Sequence, residues 1–145
     1  MKDIPGLIIR DTLPEDLAGI MEIERSCFSS EAWSEGDFLY RLDKPEFVTL
    51  TAAFDGEVAG YIAVTGVCGA SVDSVAVSKK FRRLGIASRL MIEALSRCGE
   101  TAFLEVRESN KPAIELYKSL GFRKIGVRRG YYDSPEEDAV VMSRE

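Results

Sequence analysis

Runs rich in apolar, β-branched and aromatic residues occupy the middle of the chain. Residues 47–54 and 57–65 are β-rich runs, and between them lies Asp55-Gly56, a dipeptide typical of a tight hairpin turn. A third run, residues 70–77, follows a glycine-containing turn and is predicted to pair antiparallel with the second. The pattern therefore predicts three consecutive antiparallel strands.

Elsewhere apolar residues recur three and four positions apart, which predicts helices. The first helix is predicted at about residues 15–28. A second, short helix begins at Ser34, whose spacing to Asp37 is typical of a capping box. Similar apolar stripes predict a third helix that ends at Cys98 and a fourth that begins after Asn110.

Four further runs complete the order of elements, at residues 7–10, 101–107, 122–132 and 138–143. The third helix joins the strand at 70–77 to the strand at 101–107, and such a crossover makes the two strands parallel. We therefore predict a single domain, residues 1–145, of the mixed α/β (α+β) class. Its sheet is predicted to be twisted, mixed and mostly antiparallel, with helices on both faces.

The composition is that of a soluble globular domain. Of the 145 residues, 46% are apolar and 30% are charged. No apolar run approaches the ~20 residues that cross a membrane, and the N-terminal stretch lacks the apolar core of a signal peptide. A cytoplasmic protein without membrane contact, a monomer or weak dimer, is expected. Three cysteines at scattered spacings argue against a disulfide framework.

The absence of histidine restricts the chemistry. It excludes Ser-His and Cys-His nucleophile pairs and zinc sites of mixed ligands, so no metal is expected. Acid–base chemistry must then use Asp, Glu, Tyr, Lys or Cys. The formal net charge of −5 argues against general nucleic-acid binding, and the basic cluster at residues 79–83 suits a small anionic ligand better than a duplex.

A basic turn, residues 82–87 (Arg-Arg-Leu-Gly-Ile-Ala), leads into the third helix. The first N–H groups of a helix lack partners within it and the helix dipole is positive there, so the turn can hold an anion. A basic loop that caps an ordinary amphipathic helix explains the same residues. The hexapeptide resembles the pyrophosphate-binding motif Arg-x-x-Gly-x-Ala of the GNAT acetyltransferases, which hold acetyl-coenzyme A.

Three later motifs follow in the order of the same family. Residues 104–110 (Leu-Glu-Val-Arg-Glu-Ser-Asn), 113–117 (Ala-Ile-Glu-Leu-Tyr) and 120–122 (Leu-Gly-Phe) resemble the RimI-type ribosomal-protein-alanine N-acetyltransferases. The resemblance covers residues 7–142. It implies the GNAT fold with a splayed parallel strand pair, acetyl-coenzyme A as cosubstrate, and a protein N-terminus as acceptor. Within the group, that acceptor is the N-terminal alanine of small-subunit ribosomal protein eighteen.

The resemblance also implies binding residues. The pantetheine arm of the cosubstrate would bond the backbone of Val75, Ala76 and Val77, and Asn110 would contact the cosubstrate while it caps a helix. The pyrophosphate would lie on the amides of Arg83, Leu84, Gly85, Ile86, Ala87 and Ser88. The acceptor would contact Trp33, Tyr131 and Tyr132.

The same resemblance assigns Glu105 as the base that takes the proton of the incoming ammonium, directly or through water, and Tyr117 as the acid that protonates the departing thiolate. Glu105 is expected inside an apolar, buried strand, where a carboxyl pKa rises towards that of a useful base. From the residues alone, a core aromatic is the preferred interpretation of Tyr117. Glu24 is expected in solvent at the edge of the first helix, Trp33 in loop packing and Glu31 in solvent.

Several functions remain open on the sequence. Residues 29–37, which help to shape acceptor choice in the family, match only loosely, through Trp33-Ser34. A broader protein N-terminal acetyltransferase or a small-amine acetyltransferase is therefore an alternative. A catalytically silent acetyl-coenzyme A sensor is another, although the presence of both Glu105 and Tyr117 argues against it.

Overall fold

A single sheet organises the computed structural model, which describes residues 4–28, 32–66, 69–99 and 101–145. In these residues the strands are β1 (Leu7–Asp11), β2 (Phe47–Phe54), β3 (Glu57–Thr65), β4 (Ala70–Val77), β5 (Ala102–Arg107), β6 (Arg123–Tyr132) and β7 (Glu137–Arg144). The α-helices of the same residues are α1 (Leu17–Phe28), α2 (Glu35–Arg41), α3 (Ile86–Cys98) and α4 (Lys111–Ser119). The predicted order of elements is confirmed.

The strand order across the sheet is β1-β2-β3-β4-β5-β7-β6, and every neighbouring pair is antiparallel except β4 and β5. The parallel ladder is short, since it runs only from Ala70 opposite Ala102 to Val72 opposite Leu104. Beyond Val72 and Leu104 the two strands separate. The splayed parallel pair is therefore confirmed, and it opens a gap towards the carboxyl ends of β4 and β5.

Helices cover both faces of the sheet, as predicted. On the first face, which we call the α3 face, helices α3 and α4 pack against the sheet. Their buried residues are Ile86, Leu90, Met91, Ala94, Leu95, Ile114 and Tyr117. On the second, which we call the α1 face, the packed residues are Leu17, Ile20, Met21, Ile23, Phe38, Tyr61, Ala63 and Ala76. The sheet thus separates two hydrophobic cores.

Two predicted local signals are confirmed in detail. Asp55 and Gly56 have φ angles of 50° and 85°, the left-handed values that a two-residue hairpin turn needs. Ser34 Oγ accepts a hydrogen bond from the N–H of Asp37 at 3.1 Å, while Asp37 Oδ2 accepts one from the N–H of Ser34 at 2.8 Å. The capping box therefore fixes the start of α2.

The first helix begins later than predicted, because a 3-10 turn at Pro14–Asp16 precedes α1. Asp16 Oδ2 accepts a hydrogen bond from the N–H of Leu13 at 2.8 Å. Arg10 donates to both carboxylate oxygens of Asp16, at 2.6 and 2.8 Å. This buried carboxylate therefore ties β1 to the start of α1.

The prediction that the strand around Glu105, now β5, is buried is wrong for one of its faces. Leu104 and Val106 are buried on the α3 face, but Phe103 is 43% exposed and Glu105 is half-buried. The physical reason is that α1 and α2 pack over β2, β3 and β4, so the other face of β5 is left to solvent and to the gap. Side chains alternate along a strand, and Glu105 therefore points to the uncovered side.

The structure also bears on the cysteines and on membrane spans. Cys27 and Cys98 are free thiols, and burial raises the pKa of Cys98. Cys68 lies outside the described residues. In the described part of the chain, no helix is both long and apolar enough to cross a membrane.

Candidate active site

A groove of about 630 Å³ lies where β4 and β5 separate. It is lined by residues of α1, the α1–α2 loop, α2, β3, β4, β5, α4 and β6, so it reaches both faces of the sheet. Of the predicted site residues, those that line it are Trp33, Val75, Glu105, Asn110, Tyr117, Tyr131 and Tyr132. Ala76, Val77 and residues 83–88 lie outside its lining.

Glu105 stands on the β5 wall of the groove. Its carboxylate accepts a hydrogen bond from the hydroxyl of Tyr131, and this bond raises the pKa of Tyr131. Tyr131 belongs to β6 and is 50% exposed, so the pair sits at the open side of the groove. A half-buried carboxylate with one neutral donor keeps oxygen lone pairs for a second donor, such as an amine.

Tyr117 reaches the groove from the α3 face. Its side chain is 7% exposed and its ring lies 6.0 Å from that of Phe122 between centroids. Burial raises the pKa of Tyr117 to about 12, so the phenol stays protonated at neutral pH. Tyr117 is therefore a core aromatic that also lines the groove. Asn110, which also lines the groove, caps α4 by accepting from the N–H of Ala113 at 3.3 Å.

The start of α3 presents free backbone donors. Gly85 is the N-cap, with φ of 84°, and Arg83 before it is also left-handed, with φ of 66°. The first hydrogen bond of the helix runs from the N–H of Arg89 to the carbonyl of Gly85 at 3.1 Å. The N–H groups of residues 86–88 are consequently left without partners inside the helix. A Cβ on Gly85 would meet nothing within 4 Å, so glycine is needed here for its backbone angle.

Arg82 has a different position from the one expected beside a bound anion. Its Nε donates to the carbonyl of Val77 at 3.1 Å, and its Nη2 lies 3.3 Å from Cys27 Sγ. Lys80 pairs with Glu57 at 2.5 Å. These contacts join the end of β4 to α1 through Arg82, and they engage two of the cationic side chains of residues 79–83.

The backbone of Val75, Ala76 and Val77 lies along the gap. One edge of this segment pairs with β3, whereas the edge towards β5 has no strand partner beyond Val72. Unpaired backbone groups of an extended strand can bond an extended ligand as a further strand would. Ala76 packs on the α1 face and Val75 on the α3 face.

Two aromatic–cation stacks border the open side of the groove. The guanidinium of Arg41 lies 5.1 Å from the ring centroid of Trp33, whose own ring is 5.1 Å from that of Phe38. The guanidinium of Arg107 lies 4.5 Å from the ring centroid of Tyr132. Trp33 therefore packs the α1–α2 loop, as expected, and borders the groove at the same time.

The expectation that Glu24 reaches solvent is wrong. Its side chain is 1% exposed, and its carboxylate accepts hydrogen bonds from the hydroxyl of Tyr61 and, at 2.7 Å, from the N–H of Trp33. Burial raises the pKa of Glu24, against the opposing effect of these donors. The residue lies on the apolar stripe of α1, and that position was the signal that could have revealed it. Glu31, the other acidic residue considered, lies outside the described residues.

Sequence reasoning also missed an ion pair on the β4 wall. Asp73 Oδ2 accepts from Arg41 Nη2 at 2.9 Å and from Thr65 Oγ1 at 2.5 Å, and Asp73 Oδ1 accepts from Ser71 Oγ at 2.9 Å. A bulge places Asp73 here, because Val72 and Ser74 pair with the consecutive residues Val64 and Ala63. Nothing in the local sequence signals such a bulge.

Comparisons with known proteins agree with this fold and groove. The pattern of the Acetyltransferase (GNAT) family matches residues 17–122. The chain belongs to this family, and it is an N-acetyltransferase that uses acetyl-coenzyme A. The predicted family, fold, enzyme class and cosubstrate are therefore confirmed.

Three known proteins narrow the class. An N-alpha-acetyltransferase of Sulfurisphaera tokodaii is 35% identical over an alignment of 153 positions, gaps included, which covers 93% of this chain and 90% of that protein. The ribosomal protein bS18-alanine N-acetyltransferase of Salmonella typhimurium is 34% identical over 137 residues, 88% of this chain and 90% of that protein. The crystal structure of the ribosomal-protein-S18-alanine N-acetyltransferase from Escherichia coli has a TM-score of 0.86 at 28% identity, and the match covers 95% and 92% of the two chains.

The described residues also limit where a metal ion could bind. In those ranges no group of three or more Cys, Asp or Glu side chains is placed to hold a metal ion. The polar groups of the groove are instead hydrogen-bonded to one another, as for Asp73 and Glu24. The groove thus offers carboxylates, phenols and backbone amides for chemistry.

Proposed function

We propose that the protein transfers the acetyl group of acetyl-coenzyme A to the N-terminal α-amine of a protein, the N-terminal alanine of ribosomal protein bS18. Relatives of that name in Salmonella typhimurium and Escherichia coli, which align with about nine-tenths of the chain, support this acceptor. The observation that carries the proposal is the groove between β4 and β5, with Glu105 on its α1 side and Tyr117 on its α3 side.

The residues along the groove fit acetyl-coenzyme A. The edge of Val75, Ala76 and Val77 that has no strand partner suits the amides of the pantetheine arm, with the carbonyl of Val77 already bonded to Arg82, and Asn110 lies beside the groove at the start of α4. The turn before α3 would hold the pyrophosphate on the backbone of Arg83, Leu84, Gly85, Ile86, Ala87 and Ser88. When bound, acetyl-coenzyme A supplies the acetyl group as a thioester.

Glu105 is the proposed general base. An N-terminal amine has a pKa of about 8 and is mostly protonated at neutral pH, so it must lose a proton before it can attack. Glu105 takes that proton, directly or through water, and the hydroxyl of Tyr131 lies beside its carboxylate. Trp33, Tyr131 and Tyr132 would border the acceptor peptide, since they line the groove on this open side.

Tyr117 is the proposed general acid. Its pKa of about 12 keeps the proton on the phenol at neutral pH, and a coenzyme A thiol is the stronger acid, with a pKa near 8.5. The phenol therefore acts by donating a hydrogen bond to the departing sulfur as negative charge develops there, and a proton that it passes to the sulfur is replaced by the one that the attacking nitrogen loses when the amide forms. Its position on the α3 side places it opposite the base, as acyl transfer between two substrates held in line requires.

A panel of peptides tests the acceptor. The panel contains the bS18 N-terminus with its first alanine, the same peptide beginning with Gly, Ser or Met, and a blocked peptide with an internal Lys. We expect mass spectrometry to find acetyl on the α-amine of the alanine peptide, with the blocked peptide unmodified. Acetylation of Lys side chains or of small amines alone would contradict the proposal.

A broader protein N-terminal acetyltransferase is a second candidate, because the archaeal relative named N-alpha-acetyltransferase is as similar, at 35% identity. The same panel separates the two, since a broad enzyme accepts several first residues at comparable kcat/KM. A silent acetyl-coenzyme A sensor would bind the cosubstrate without turnover on any peptide. The presence of Glu105 and Tyr117 on opposite sides of the groove favours a working enzyme.

A further inference from the structure

A row of three hydrogen-bonded side chains runs from the α1 core to the groove. Glu24 of α1 is 1% exposed and Tyr61 of β3 is fully buried, whereas Ser74 of β4 is half-buried and lines the groove. The Tyr61 hydroxyl contacts Glu24 Oε1, and it lies 3.1 Å from Ser74 Oγ. No role is assigned to this row by the chemistry of Glu105 and Tyr117.

The direction of the hydrogen bonds follows from the donors available. Burial beside Glu24 raises the pKa of Tyr61, so the phenol keeps its single proton and donates it to the carboxylate. Glu24 Oε2 already accepts from the N–H of Trp33 at 2.7 Å, which occupies the second carboxylate oxygen. When Glu24 is ionised, Ser74 donates its own proton inward, to Tyr61 Oη or to Glu24. The lone pairs of Ser74 Oγ then face the groove as an acceptor.

Ser74 and Glu105 project on the same side of the sheet. Ala76, two residues after Ser74, packs in the α1 core, and side chains two apart share a face. Leu104 and Val106 pack in the α3 core, so Glu105 between them points to the α1 side. Two hydrogen-bond acceptors thus flank the groove on the side from which the acceptor peptide would enter, one on each of the separated strands.

We propose that Ser74 binds the amine of the acceptor, and that Tyr61 and Glu24 are positioning residues that hold the Ser74 hydroxyl with its oxygen towards that amine. This inference rests on the proposed function, because it takes the amine from a protein N-terminus. An incoming ammonium donates one N–H to Glu105 and another to Ser74. Once Glu105 has accepted its proton and become a carboxylic acid, the nitrogen lone pair is free, and the bond to Ser74 still holds the neutral amine.

Three variants test the row. Ser74→Ala removes the contact, Tyr61→Phe keeps the ring but removes the hydroxyl that orients Ser74, and a double variant combines them. We expect each single change to raise the KM for an Ala-initiated peptide about tenfold, as for loss of one charge-assisted hydrogen bond. The double variant should be no worse than Ser74→Ala, because both changes act through one contact. The dissociation constant of acetyl-coenzyme A, measured by calorimetry, should stay within about twofold.

Matched controls keep the result specific. Ser96→Ala removes an exposed hydroxyl on α3, and Tyr40→Phe removes an exposed phenol on α2; neither residue lines the groove, and neither change should alter the KM. Ser74→Thr retains a hydroxyl and should recover most of the peptide affinity. Because Ser74 is half-buried, its variants should fold even if changes at Tyr61 lower the melting temperature.

Failure of the proposed acceptor and failure of the proposed role of Ser74 give different results. A parent enzyme that acetylates only small amines overturns the proposed acceptor, and the role of Ser74 is then judged by the KM for that amine, where the same tenfold rise is expected. A KM for Ser74→Ala within twofold of the parent, on whichever acceptor the parent uses, overturns the role of Ser74. A lower melting temperature for Tyr61→Phe with an unchanged peptide KM likewise contradicts the positioning role, because the row then only stabilises the α1 core.

Discussion

The two halves of the groove are built in different ways. On the half that we propose for the cosubstrate, the binding groups would be backbone amides and a left-handed glycine, and most belong to one stretch of chain, β4 and the start of α3 beyond the groove lining. On the acceptor half, the polar groups are side chains drawn from α1, α2, β3, β4, β5 and β6. Backbone recognition needs only the fold, so it suits a cosubstrate shared by a whole family. Side-chain recognition depends on which residues meet, so acceptor choice can change there while the fold stays.

The largest effect is expected at the base. Glu105→Gln keeps the shape and one acceptor oxygen but cannot take a proton, so turnover should fall by about 10²- to 10⁴-fold. The loss should shrink as pH rises, because the acceptor amine, with a pKa of about 8, is then already neutral. The pH–rate profiles of both proteins on an Ala-initiated peptide provide the measurement.

The profile also discriminates between two roles of Glu105. If the carboxylate mainly binds the ammonium form, the variant should show a raised KM with near-normal turnover and no recovery at high pH. A variant as active as the parent across the whole range would remove Glu105 from the mechanism. Glu24 would then be the next carboxylate to test, because it too lines the groove.

The second-largest effect is expected at Tyr117, the proposed acid, which lies on the half that we propose for the cosubstrate. Tyr117→Phe preserves the ring that packs near Phe122 and removes the donor, so turnover should fall by about 10- to 100-fold while acetyl-coenzyme A affinity changes little. Steady-state kinetics measure the turnover number, and calorimetry measures the affinity for acetyl-coenzyme A. Equal turnover numbers would leave Tyr117 as a core aromatic only.

A smaller effect is expected where recognition uses the backbone. Gly85→Val forces a β-branched residue towards a φ of 84°, a strain of about 1–3 kcal/mol, so the turn should move and acetyl-coenzyme A should bind about tenfold more weakly. Gly126→Ala, whose Cβ also meets nothing within 4 Å and whose φ is not left-handed, is the control. Unchanged calorimetric affinity in Gly85→Val would contradict the assignment of this turn to the pyrophosphate.

The smallest effect on activity is expected at Asp16, a buried carboxylate away from the groove. Arg10 lowers the pKa of Asp16, so its ionised form stabilises the fold above the unfolded pKa of about 3.9, and this contribution is lost as pH falls through the lower folded value. Asp16→Asn should therefore lower the free energy of unfolding by about 1–2 kcal/mol at neutral pH. The difference from the parent should shrink towards pH ~2–3.

Urea denaturation at the two pH values measures this difference, and peptide KM should be unchanged throughout. A raised peptide KM in Asp16→Asn would show that the acceptor half is sensitive to any loosening of α1. Glu24, whose pKa burial raises, is the informative contrast, because it lies on the same segment but reaches the groove. The two carboxylates thus separate stability from acceptor binding.

The contrast between the halves also explains what could be read from the sequence. The elements, the hairpin at Asp55-Gly56, the cap at Ser34 and the turn at Gly85 are set by residues within a few positions of one another, so local patterns predict them. The position of Tyr117 on the inner stripe of α4 follows from the same periodicity. These features make up most of the fold and the cosubstrate half.

The acceptor half depended on contacts that no local pattern contains. Glu24 and Tyr61 are 37 positions apart, and a carboxylate on an apolar stripe gives no sign of the partner that keeps it buried. Asp73 faces the groove because of a bulge, and Arg41 meets it from 32 positions away. Glu105 was predicted as buried because periodicity could not tell that α1 and α2 stop short of β5.

Identifying which nitrogen of intact ribosomal protein bS18 becomes acetylated tests the proposed function most directly. The protein, acetyl-coenzyme A and unmodified bS18 are incubated together, with Glu105→Gln in a parallel reaction, and the product is sequenced by tandem mass spectrometry. We expect one acetyl group, on the α-nitrogen of the N-terminal alanine, formed much more slowly by the variant. An unmodified N-terminus with acetylated lysines, or equal rates for the two proteins, would contradict transfer to a protein N-terminus by the chemistry of Glu105.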